Sequence, residues 1–159
     1  MEFFTVSTKG VDGTNSVAQM LGARLRQGDV VLLKGGLASG KTTFVKAAAQ
    51  ALGSASVVTS PTFALAQFYT SDRGTILHID AYRLSGIHEF RDLGLDEYID
   101  DSITLVEWGD KVASDFPAAL TIEFTYDPSA PELRLLTFSA HGERMARVID
   151  ALFAEQRTA

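Results

Sequence analysis

The sequence predicts an α/β fold, a single domain over residues 1–159 in which helices flank a mixed parallel and antiparallel sheet. Three observations favour this class. The run DVVLLK contains consecutive apolar residues, as expected for a strand that is buried on both faces. A glycine-rich segment and then a helical pattern follow it directly. Strands alternate with helices in the first half of the chain and hairpins are added in the second, which is typical of a mixed sheet.

The first half of the chain contains two strand-to-helix units. The segment FFTVST predicts a short strand. From Thr14 to Gln27 apolar residues recur at helical spacing, with capping oxygens at the start of the segment and Gly28 as a stop signal. The segment DVVLLK predicts the second strand. The segment KTTFVKAAAQAL predicts the second helix, with Gly53 as the C′ residue after its end.

The second half predicts two hairpins, a further strand and a C-terminal helix. FALAQFYT and TILHID, joined by SDRG, form the first hairpin, and ALTIEFTY and ELRLLTFS form the second. Between them, HEFRDLGLDEYI predicts one or two short helices broken near Gly94, and SITLVEW predicts a buried strand. The segment from Glu143 to Gln156 predicts a docked helix, because these apolar residues share one face: Met145, Val148, Ile149, Leu152 and Phe153.

Composition limits the classes of function. No apolar run approaches ~20 residues and the N-terminus lacks a signal-peptide pattern, so we expect no membrane span and a cytoplasmic location. The chain has no cysteine, which excludes disulfides and thiolate metal sites and fits a reducing compartment. The formal net charge is -6, and no basic patch is visible in the sequence. Any contact with nucleic acid is therefore expected to pass through a partner.

The segment VVLLKGGLASGKTTF contains the pattern G-x-x-x-x-G-K-[ST] at Gly35, Gly40, Lys41 and Thr42. The glycines allow successive backbone N–H groups to turn inward around phosphate oxygens, and the following helix directs its positive end at the same anion. We expect Lys41 to bind the β- and γ-phosphates and the Thr42 hydroxyl to ligate Mg²⁺. The alternative is a glycine-rich turn that binds nothing. Since glycine is only about 7% of residues, a chance match at all four fixed positions is improbable. The pattern therefore predicts a P-loop that binds a nucleoside triphosphate.

Two acidic residues close apolar strands downstream of the P-loop. Asp80 ends TILHID and Glu107 ends SITLVE. P-loop enzymes hold the metal ion and its waters with an acid at the end of a nearby strand. One acid alone would as readily cap a loop, but two indicate that at least one of them contacts Mg²⁺. Spacing does not decide which acid ligates the metal and which orients the water.

Three further residues are weaker candidates. Thr62 lies in the segment TSPTF, where a loop threonine of switch-type enzymes senses the γ-phosphate, although an ordinary proline turn explains the segment equally well. Trp108 directly follows Glu107, and alternation along the strand points it to the opposite side of the sheet. His78 lies inside an apolar strand, and we expect a core histidine with satisfied hydrogen bonds rather than a metal ligand.

The motifs GGLASGKTT, SPTF, HIDAYRL and LVEWGDK occur in the order and at the spacing of the TsaE family, which this chain resembles from about Asn15 to Lys111. That family consists of small bacterial P-loop ATPases involved in threonylcarbamoyladenosine modification of tRNA. The resemblance implies that Thr42 and Glu107 hold Mg²⁺ and that Asp80 is the acid at the Walker B position. Thr62 and Trp108 match positions that the family needs for activity. The implied ATP-binding residues are Gly36, Leu37, Ala38, Ser39, Gly40, Lys41, Thr42 and Thr43, and we count Trp108 with them.

The resemblance also implies partners. The TsaD and TsaB proteins form the complex that transfers the threonylcarbamoyl group to adenosine 37 of tRNA, and the ATP cycle of a TsaE protein resets that complex. The chain would then contact tRNA only indirectly. One departure is that the loop has G-L-A-S-G where G-L-G-A-G is common in the family. Ala38 must accept a negative φ or some strain, and Ser39 adds a hydroxyl near the phosphates, so we expect retained binding.

The residues alone leave alternatives open. A small-molecule or nucleotide kinase usually needs an arginine-rich lid, and no such insertion appears in the sequence. A GTPase usually needs an N-K-x-D segment, but the single asparagine, Asn15, is followed by Ser16. A binding module without turnover is the remaining alternative. The resemblance implies an ATPase that acts on a partner, and we favour a Mg²⁺-dependent ATPase that is slow alone and stimulated by that partner. The absence of a GTPase segment favours adenine, with Asn15 or its neighbours lining the base pocket.

Overall fold

A seven-stranded mixed sheet forms the framework of the protein in the computed structural model, which describes residues 2–36, 39–55, 58 and 65–158. This sheet confirms the predicted α/β class. Two 3₁₀ turns, Gly109–Lys111 and Ala113–Asp115, follow the fifth strand. The strands and helices are β1 Glu2–Lys9, α1 Gly10–Gly22, β2 Val30–Gly35, α2 Lys41–Ala51, β3 Ala66–Ser71, β4 Gly74–Asp80, α3 Ile87–Asp92, α4 Asp96–Ile99, β5 Ser102–Glu107, β6 Leu120–Asp127, β7 Ala130–Ala140 and α5 Glu143–Thr158.

The strand order is β1-β7-β6-β2-β5-β4-β3. The four strands β6, β2, β5 and β4 run parallel to one another. At one side β7 pairs antiparallel with β6 and β1 pairs antiparallel with β7, and at the other side β3 pairs antiparallel with β4. Because β2, β5 and β4 are parallel neighbours, their carboxyl ends lie together at one edge of the sheet. Ligands of open α/β sheets bind outside this kind of edge.

Both faces of the central strand are buried, which explains its continuous apolar sequence. Val31 and Leu33 face one cluster, which includes apolar residues of α1, α2 and α5. Val30 and Leu32 face a second cluster, which includes Phe90 of α3 and residues that follow the 3₁₀ turns. Successive side chains of a strand point to opposite faces, so one apolar run supplies both clusters.

Most predicted elements are confirmed. Strands β3 and β4 form the first hairpin and β6 and β7 the second, both antiparallel. Two short helices, α3 and α4, flank Gly94, and the five apolar residues predicted on the C-terminal helix are all buried in α5. Helix α2 ends at Ala51, and Gly53 follows its C-cap with φ 82°, as predicted for a C′ residue. The N–H of Gly53 donates to Gln50 O, and the N–H of Ser54 donates to Ala49 O. This pair of bonds satisfies carbonyls that the helix end would otherwise leave without partners.

The predicted bounds of the first helix are wrong. Helix α1 begins at Gly10 and ends at Gly22, so Thr14 lies inside the helix rather than at its start. The Thr14 hydroxyl lies 3.1 Å from the hydroxyl of Thr8 in a buried contact between the helix and β1. Thr14, which the sequence suggested as a helix cap, therefore contacts the sheet instead. Leu25 is buried after the helix has ended, which extended the apolar pattern beyond the true end.

Within the described residues, no helix combines the length and apolar character that crossing a membrane requires.

The docking of α5 predicts a large effect of one aromatic residue on stability. The Phe153 ring stacks on Phe4 at a centroid distance of 4.2 Å and meets Phe138 edge to face at 5.1 Å. We expect Phe153→Ala to lower the free energy of unfolding by roughly 3–5 kcal/mol, because a large cavity replaces the ring. Phe3 is 58% exposed on the same strand as Phe4, and Phe3→Ala should cost less than about 1 kcal/mol. Urea unfolding measures both, and equal losses would contradict the packing described.

Candidate functional site

The loop with the G-x-x-x-x-G-K-[ST] pattern, which we name the P-loop after this pattern, connects the carboxyl end of β2 to the first residue of α2. Two of its glycines have positive φ, 151° at Gly35 and 104° at Gly40. A Cβ atom at Gly35 would also lie 2.8 Å from the carbonyl oxygen of Phe124. The two fixed glycines of the motif are therefore required by the path of the backbone. Leu37 and Ala38 lie outside the described residues.

The side chain of Lys41 is folded back onto its own loop. Its ammonium donates hydrogen bonds to the carbonyl oxygens of Gly35 at 2.9 Å and Gly36 at 2.7 Å, and to Ser39 Oγ at 3.2 Å. Burial lowers the pKa of Lys41 below its usual value, although nearby carboxylates, Glu107 foremost, act in the opposite direction. A buried cation that donates these hydrogen bonds to neutral groups of the loop is well placed to bind an anion that enters the loop.

Trp108 covers this lysine. The Lys41 ammonium lies 4.3 Å from the centroid of the Trp108 ring, within the range of a cation–π contact, and the Tyr82 ring packs against the indole at 5.0 Å. Trp108 has φ 57° and ψ 40°, the one positive φ of a non-glycine residue in the part of the chain that the structure describes. Such a conformation costs of order 1 kcal/mol and is often found at functional sites.

Trp108 packs against the second cluster, on the opposite face of the sheet from Glu107, as strand alternation predicted. Strand β5 ends at Glu107, and the left-handed backbone at Trp108 turns the chain out of the strand. The indole therefore reaches Lys41, while the carboxylate of Glu107 reaches Thr42. Both side chains consequently belong to the P-loop site.

Glu107 and Thr42 are in direct contact. The Thr42 hydroxyl donates to Glu107 Oε1 at 2.7 Å, across a separation of 65 residues in the sequence. Asp80 pairs in register with Glu107 on the neighbouring strand, and its Oδ1 accepts a hydrogen bond from the N–H of Tyr82 at 3.0 Å. Both carboxylate side chains are buried. The two strand ends thus bring both predicted acids to the P-loop, with Glu107 in contact with the motif threonine.

The donor set fits a hard cation such as Mg²⁺. Because the Thr42 hydroxyl gives its proton to Glu107, its oxygen lone pairs remain available to a cation. Hydroxyl and carboxylate oxygens are the ligands that Mg²⁺ prefers. No group of three or more histidine or acidic side chains in the described ranges forms a complete metal cage. A cation at this place would therefore share its coordination with phosphate oxygens and water, as Mg²⁺ commonly does.

A cavity of about 210 Å³ adjoins the P-loop on the side of α1. Ser39, Gly40 and Thr43 line it from the loop and from α2, and Thr14 and Arg134 line it from elsewhere in the chain. Thr14 is the sequence neighbour of Asn15, whose half-buried side chain has no hydrogen-bond partner for Oδ1 among the described atoms. The roles expected for Asn15 and for Gly36, Ser39 and Thr43 stay predictions. Thr62 and the rest of the segment SPTF lie outside the described residues.

Sequence reasoning missed two features of the site. His78 is fully buried and hydrogen-bonded, as expected, but its partner is Glu107, with 2.6 Å between His78 Nε2 and Glu107 Oε2. His78 and Asp80 are two residues apart and so lie on the same face of β4, which could have indicated that His78 lies near the acids. Arg134 lines the cavity beside the loop, although nothing in the sequence near it indicates a site.

The fold and the site together define an α/β protein in which a Walker A sequence joins a buried strand to a helix, with a hydroxyl–carboxylate pair beside its lysine. The family model described as "Threonylcarbamoyl adenosine biosynthesis protein TsaE" matches residues 8–134. The chain therefore belongs to the TsaE family, as its motifs predicted, and has a role in the biosynthesis of threonylcarbamoyladenosine in tRNA.

Individual relatives agree with this assignment. The protein named tRNA threonylcarbamoyladenosine biosynthesis protein TsaE from Streptomyces coelicolor is 39% identical over 136 residues, which cover 82% of this chain and 92% of that protein. The protein of the same name from Bacillus subtilis is 34% identical over 91% of this chain and 90% of its own length. A crystal structure of Bacillus subtilis YdiB superimposes with a TM-score of 0.80 at 30% identity, and covers 98% of this chain and 97% of that chain.

The contact between Thr42 and Glu107 predicts a loss of stability even without a ligand. Hydrogen bonds to charged groups contribute roughly 1.5–3 kcal/mol, and Thr42 is only half-buried, so we expect Thr42→Val to lower the free energy of unfolding by about 1.5 kcal/mol. Thr42→Ser keeps the hydroxyl and should remain close to the parent. Urea unfolding of the ligand-free protein measures the difference, and a Val variant as stable as the Ser variant would contradict the contact.

Proposed function

We propose that this protein binds and hydrolyses ATP in a Mg²⁺-dependent manner and so supports modification of position 37 of tRNA by acting on the TsaD–TsaB complex. The observation that carries the proposal is the contact between Thr42 and Glu107 beside the buried ammonium of Lys41. A turn that binds nothing has no need of a buried carboxylate aimed at the motif threonine. Names of relatives that specify tRNA threonylcarbamoyladenosine biosynthesis support the cellular role.

Phosphate binding falls to the loop and to Lys41. The loop glycines direct backbone N–H groups toward the anion, and the positive end of α2 adds to their effect. Lys41 exchanges its contacts with the carbonyls of Gly35 and Gly36 for contacts with phosphate oxygens. An ammonium that already lies within the loop makes this exchange with a small movement.

The two acids take different roles in this proposal. Thr42 and Glu107 hold Mg²⁺, because their oxygen atoms already meet at one point. When bound, Mg²⁺ supplies positive charge that offsets the charge of the β- and γ-phosphates. Asp80, one strand away, orients the water that attacks the terminal phosphate. The nucleoside lies toward the cavity lined by Thr14, on the side where Asn15 is expected to contact the base.

A second cavity, on the side of the loop away from α1, supports stimulation by a partner. This cavity of about 300 Å³ opens beside Gly35 and Gly36, and its rim carries Asp110 and Glu123. Asp110 is exposed, whereas Glu123 pairs with Lys34 at 3.0 Å. Arg134 lines the cavity on the side of α1, but its guanidinium donates to the backbone carbonyls of Pro131 and Leu133. A partner is therefore the proposed source of an arginine for the phosphates. Lys34 lines the second cavity and is paired with Glu123, so the exposed carboxylate of Asp110 is the group that suits a basic side chain brought by a partner. Contact with tRNA then passes through that partner, within the cytoplasm.

The lysine provides the first test of the proposal. We expect Lys41→Ala to weaken ATP binding at least about 100-fold, because a buried charge–phosphate contact is lost, while the ligand-free protein stays folded and still melts cooperatively. Lys46 is exposed on the same helix, and Lys46→Ala is the matched control. Calorimetric titration with ATP and Mg²⁺ measures the affinities. Unchanged affinity in the Lys41 variant would remove the proposed phosphate site.

The fluorescence of Trp108 reports the same event. The indole lies over the ammonium that must move, so its emission should change when ATP and Mg²⁺ are added to the parent protein. The Lys41→Ala variant should show no such change at the same ligand concentration. Because Trp108 is the single tryptophan of the chain, the signal needs no correction for other indoles.

Coupling to the partner is tested by steady-state ATP hydrolysis with and without purified TsaD–TsaB complex. We expect slow turnover by the isolated chain and at least about ten-fold stimulation by the complex, since an arginine supplied in trans can contribute ~10³ or more. Asp110→Asn should weaken the stimulation, and added salt should do the same. Asp101→Asn, an exposed change just before β5 at the opposite edge of the sheet, should have no effect.

Fast turnover by the isolated chain that the complex does not change, and that a small phosphate acceptor raises, would indicate a kinase instead. ATP binding without any turnover, alone or with the complex, would indicate a binding module.

A further inference from the structure

A chain of buried hydrogen bonds leads from Glu107 away from the P-loop into the sheet. The two carboxylate oxygens of Glu107 have different partners: Oε1 accepts from the hydroxyl of Thr42 at 2.7 Å, and Oε2 lies 2.6 Å from Nε2 of His78. His78 is 0% exposed. Because an ionised carboxylate can only accept hydrogen bonds, Nε2 of His78 is the donor in this contact.

The imidazole of His78 is also held at its other nitrogen. The hydroxyl of Tyr69 lies between His78 Nδ1, at 3.2 Å, and Gln67 Oε1, at 2.6 Å, and its one proton serves one of these two contacts at a time. Tyr69 is 6% exposed, and its ring packs against the imidazole with 6.0 Å between centroids. With contacts at both nitrogens and no access to water, the imidazole has one orientation.

The strands that carry these residues are paired to one another. Gln67 of β3 pairs in register with His78 of β4, and β4 pairs with β5, which ends at Glu107. The hydrogen-bonded side chains therefore link three adjacent strands to helix α2 through Thr42. None of these side chains except Thr42 and Glu107 lies at the P-loop itself.

We propose that His78 is a positioning residue that fixes the carboxylate of Glu107 in the orientation required to hold Mg²⁺ with Thr42, and that Tyr69 holds His78 in turn. This inference rests on the proposed function, in which Glu107 is a metal ligand. Without the N–H donor at Oε2, the carboxylate is free to rotate about its terminal bond, and Oε1 loses its fixed position beside the Thr42 hydroxyl. Groups that hydrogen-bond to a metal ligand typically change metal affinity by about 10–100-fold when they are removed.

A purely structural role for His78 makes a different prediction. A histidine that only satisfies a buried carboxylate would affect the free energy of unfolding and leave the Mg²⁺ requirement of nucleotide binding unchanged. A positioning residue changes the Mg²⁺ requirement while binding of nucleotide without metal stays the same. Metal affinity therefore separates the two roles, whereas stability alone does not.

The test uses four variants of the full chain. His78→Leu removes the donor, and His78→Gln keeps an amide N–H near the position of Nε2. Tyr69→Phe removes the hydroxyl beside Nδ1 and leaves the donor to Glu107 in place. Thr104→Val is the matched control, because Thr104 is buried on the same strand as Glu107 and its hydroxyl has no hydrogen-bond partner among the described residues.

The readout is the Mg²⁺ concentration that gives half-maximal binding of ATP, together with ATP affinity in EDTA. We expect His78→Leu to raise the required Mg²⁺ concentration about 10–100-fold, with affinity in EDTA within about two-fold of the parent. His78→Gln should recover most of the loss, Tyr69→Phe should show a smaller loss of the same kind, and Thr104→Val should match the parent. Paramagnetic resonance of Mn²⁺ in place of Mg²⁺ measures metal binding directly, without turnover.

The outcomes distinguish failure of this inference from failure of the proposed function. A parent protein whose ATP binding does not respond to Mg²⁺ contradicts the proposed function. A parent that responds, with a His78→Leu variant that has the same Mg²⁺ requirement, overturns the role of His78 alone. Equal losses with and without metal also overturn it. If His78→Leu does not fold, a Tyr69→Phe variant with the Mg²⁺ requirement of the parent overturns the inference.

Discussion

The parallel alignment of β2, β5 and β4 is the constraint on which the site depends. Strand β5 lies between the other two, with Glu107 in register with Leu33 on one side and with Asp80 on the other. Three segments far apart in the sequence therefore end at one edge of the sheet: the P-loop strand and the two strands that end in acids. A shift of one residue in either pairing would turn Glu107 or Asp80 to the other face and separate the acids from the loop.

The second condition is that the polar groups behind this edge are satisfied although they are buried. A buried carboxylate without partners would be strongly destabilising, and Glu107 avoids this cost through donors on both oxygens. Satisfied buried networks restrict side chains to one arrangement, which apolar packing alone does not achieve for a carboxylate. The same bonds that make the buried acid tolerable also fix its direction, so stability and site geometry have a common origin here.

Local sequence patterns predicted most of the fold and the parts of the site that lie within one segment. The P-loop, both acids and the C-terminal helix each depend on residues close together in the chain, where glycine geometry and side-chain periodicity decide the structure. The errors and omissions concern contacts between elements: the buried contact of Thr14 with β1 and the burial of Leu25 displaced the predicted bounds of α1. Alternation predicted the face of Trp108 but not its contact with Lys41, which depends on the left-handed residue that follows the strand. The partner of His78 lies 29 residues away on a strand whose neighbours are set by topology. Local patterns contain no information on strand order.

The charges around the loop give an electrostatic reason for the proposed divalent cation. Asp80, Glu107 and Asp110 all act on Lys41, so the carboxylates outnumber the ammonium that is expected to bind phosphate. A nucleoside triphosphate would add further negative charge next to two buried acids, where repulsion is stronger than in water. A loop that only captured anions would be better without these acids. Their position is accounted for if a bound cation stands between them and the phosphates, because each carboxylate then stabilises the complex instead of opposing it. In the proposed function, Lys41 and Mg²⁺ are therefore complementary: neither alone offsets the combined charge of phosphates and acids.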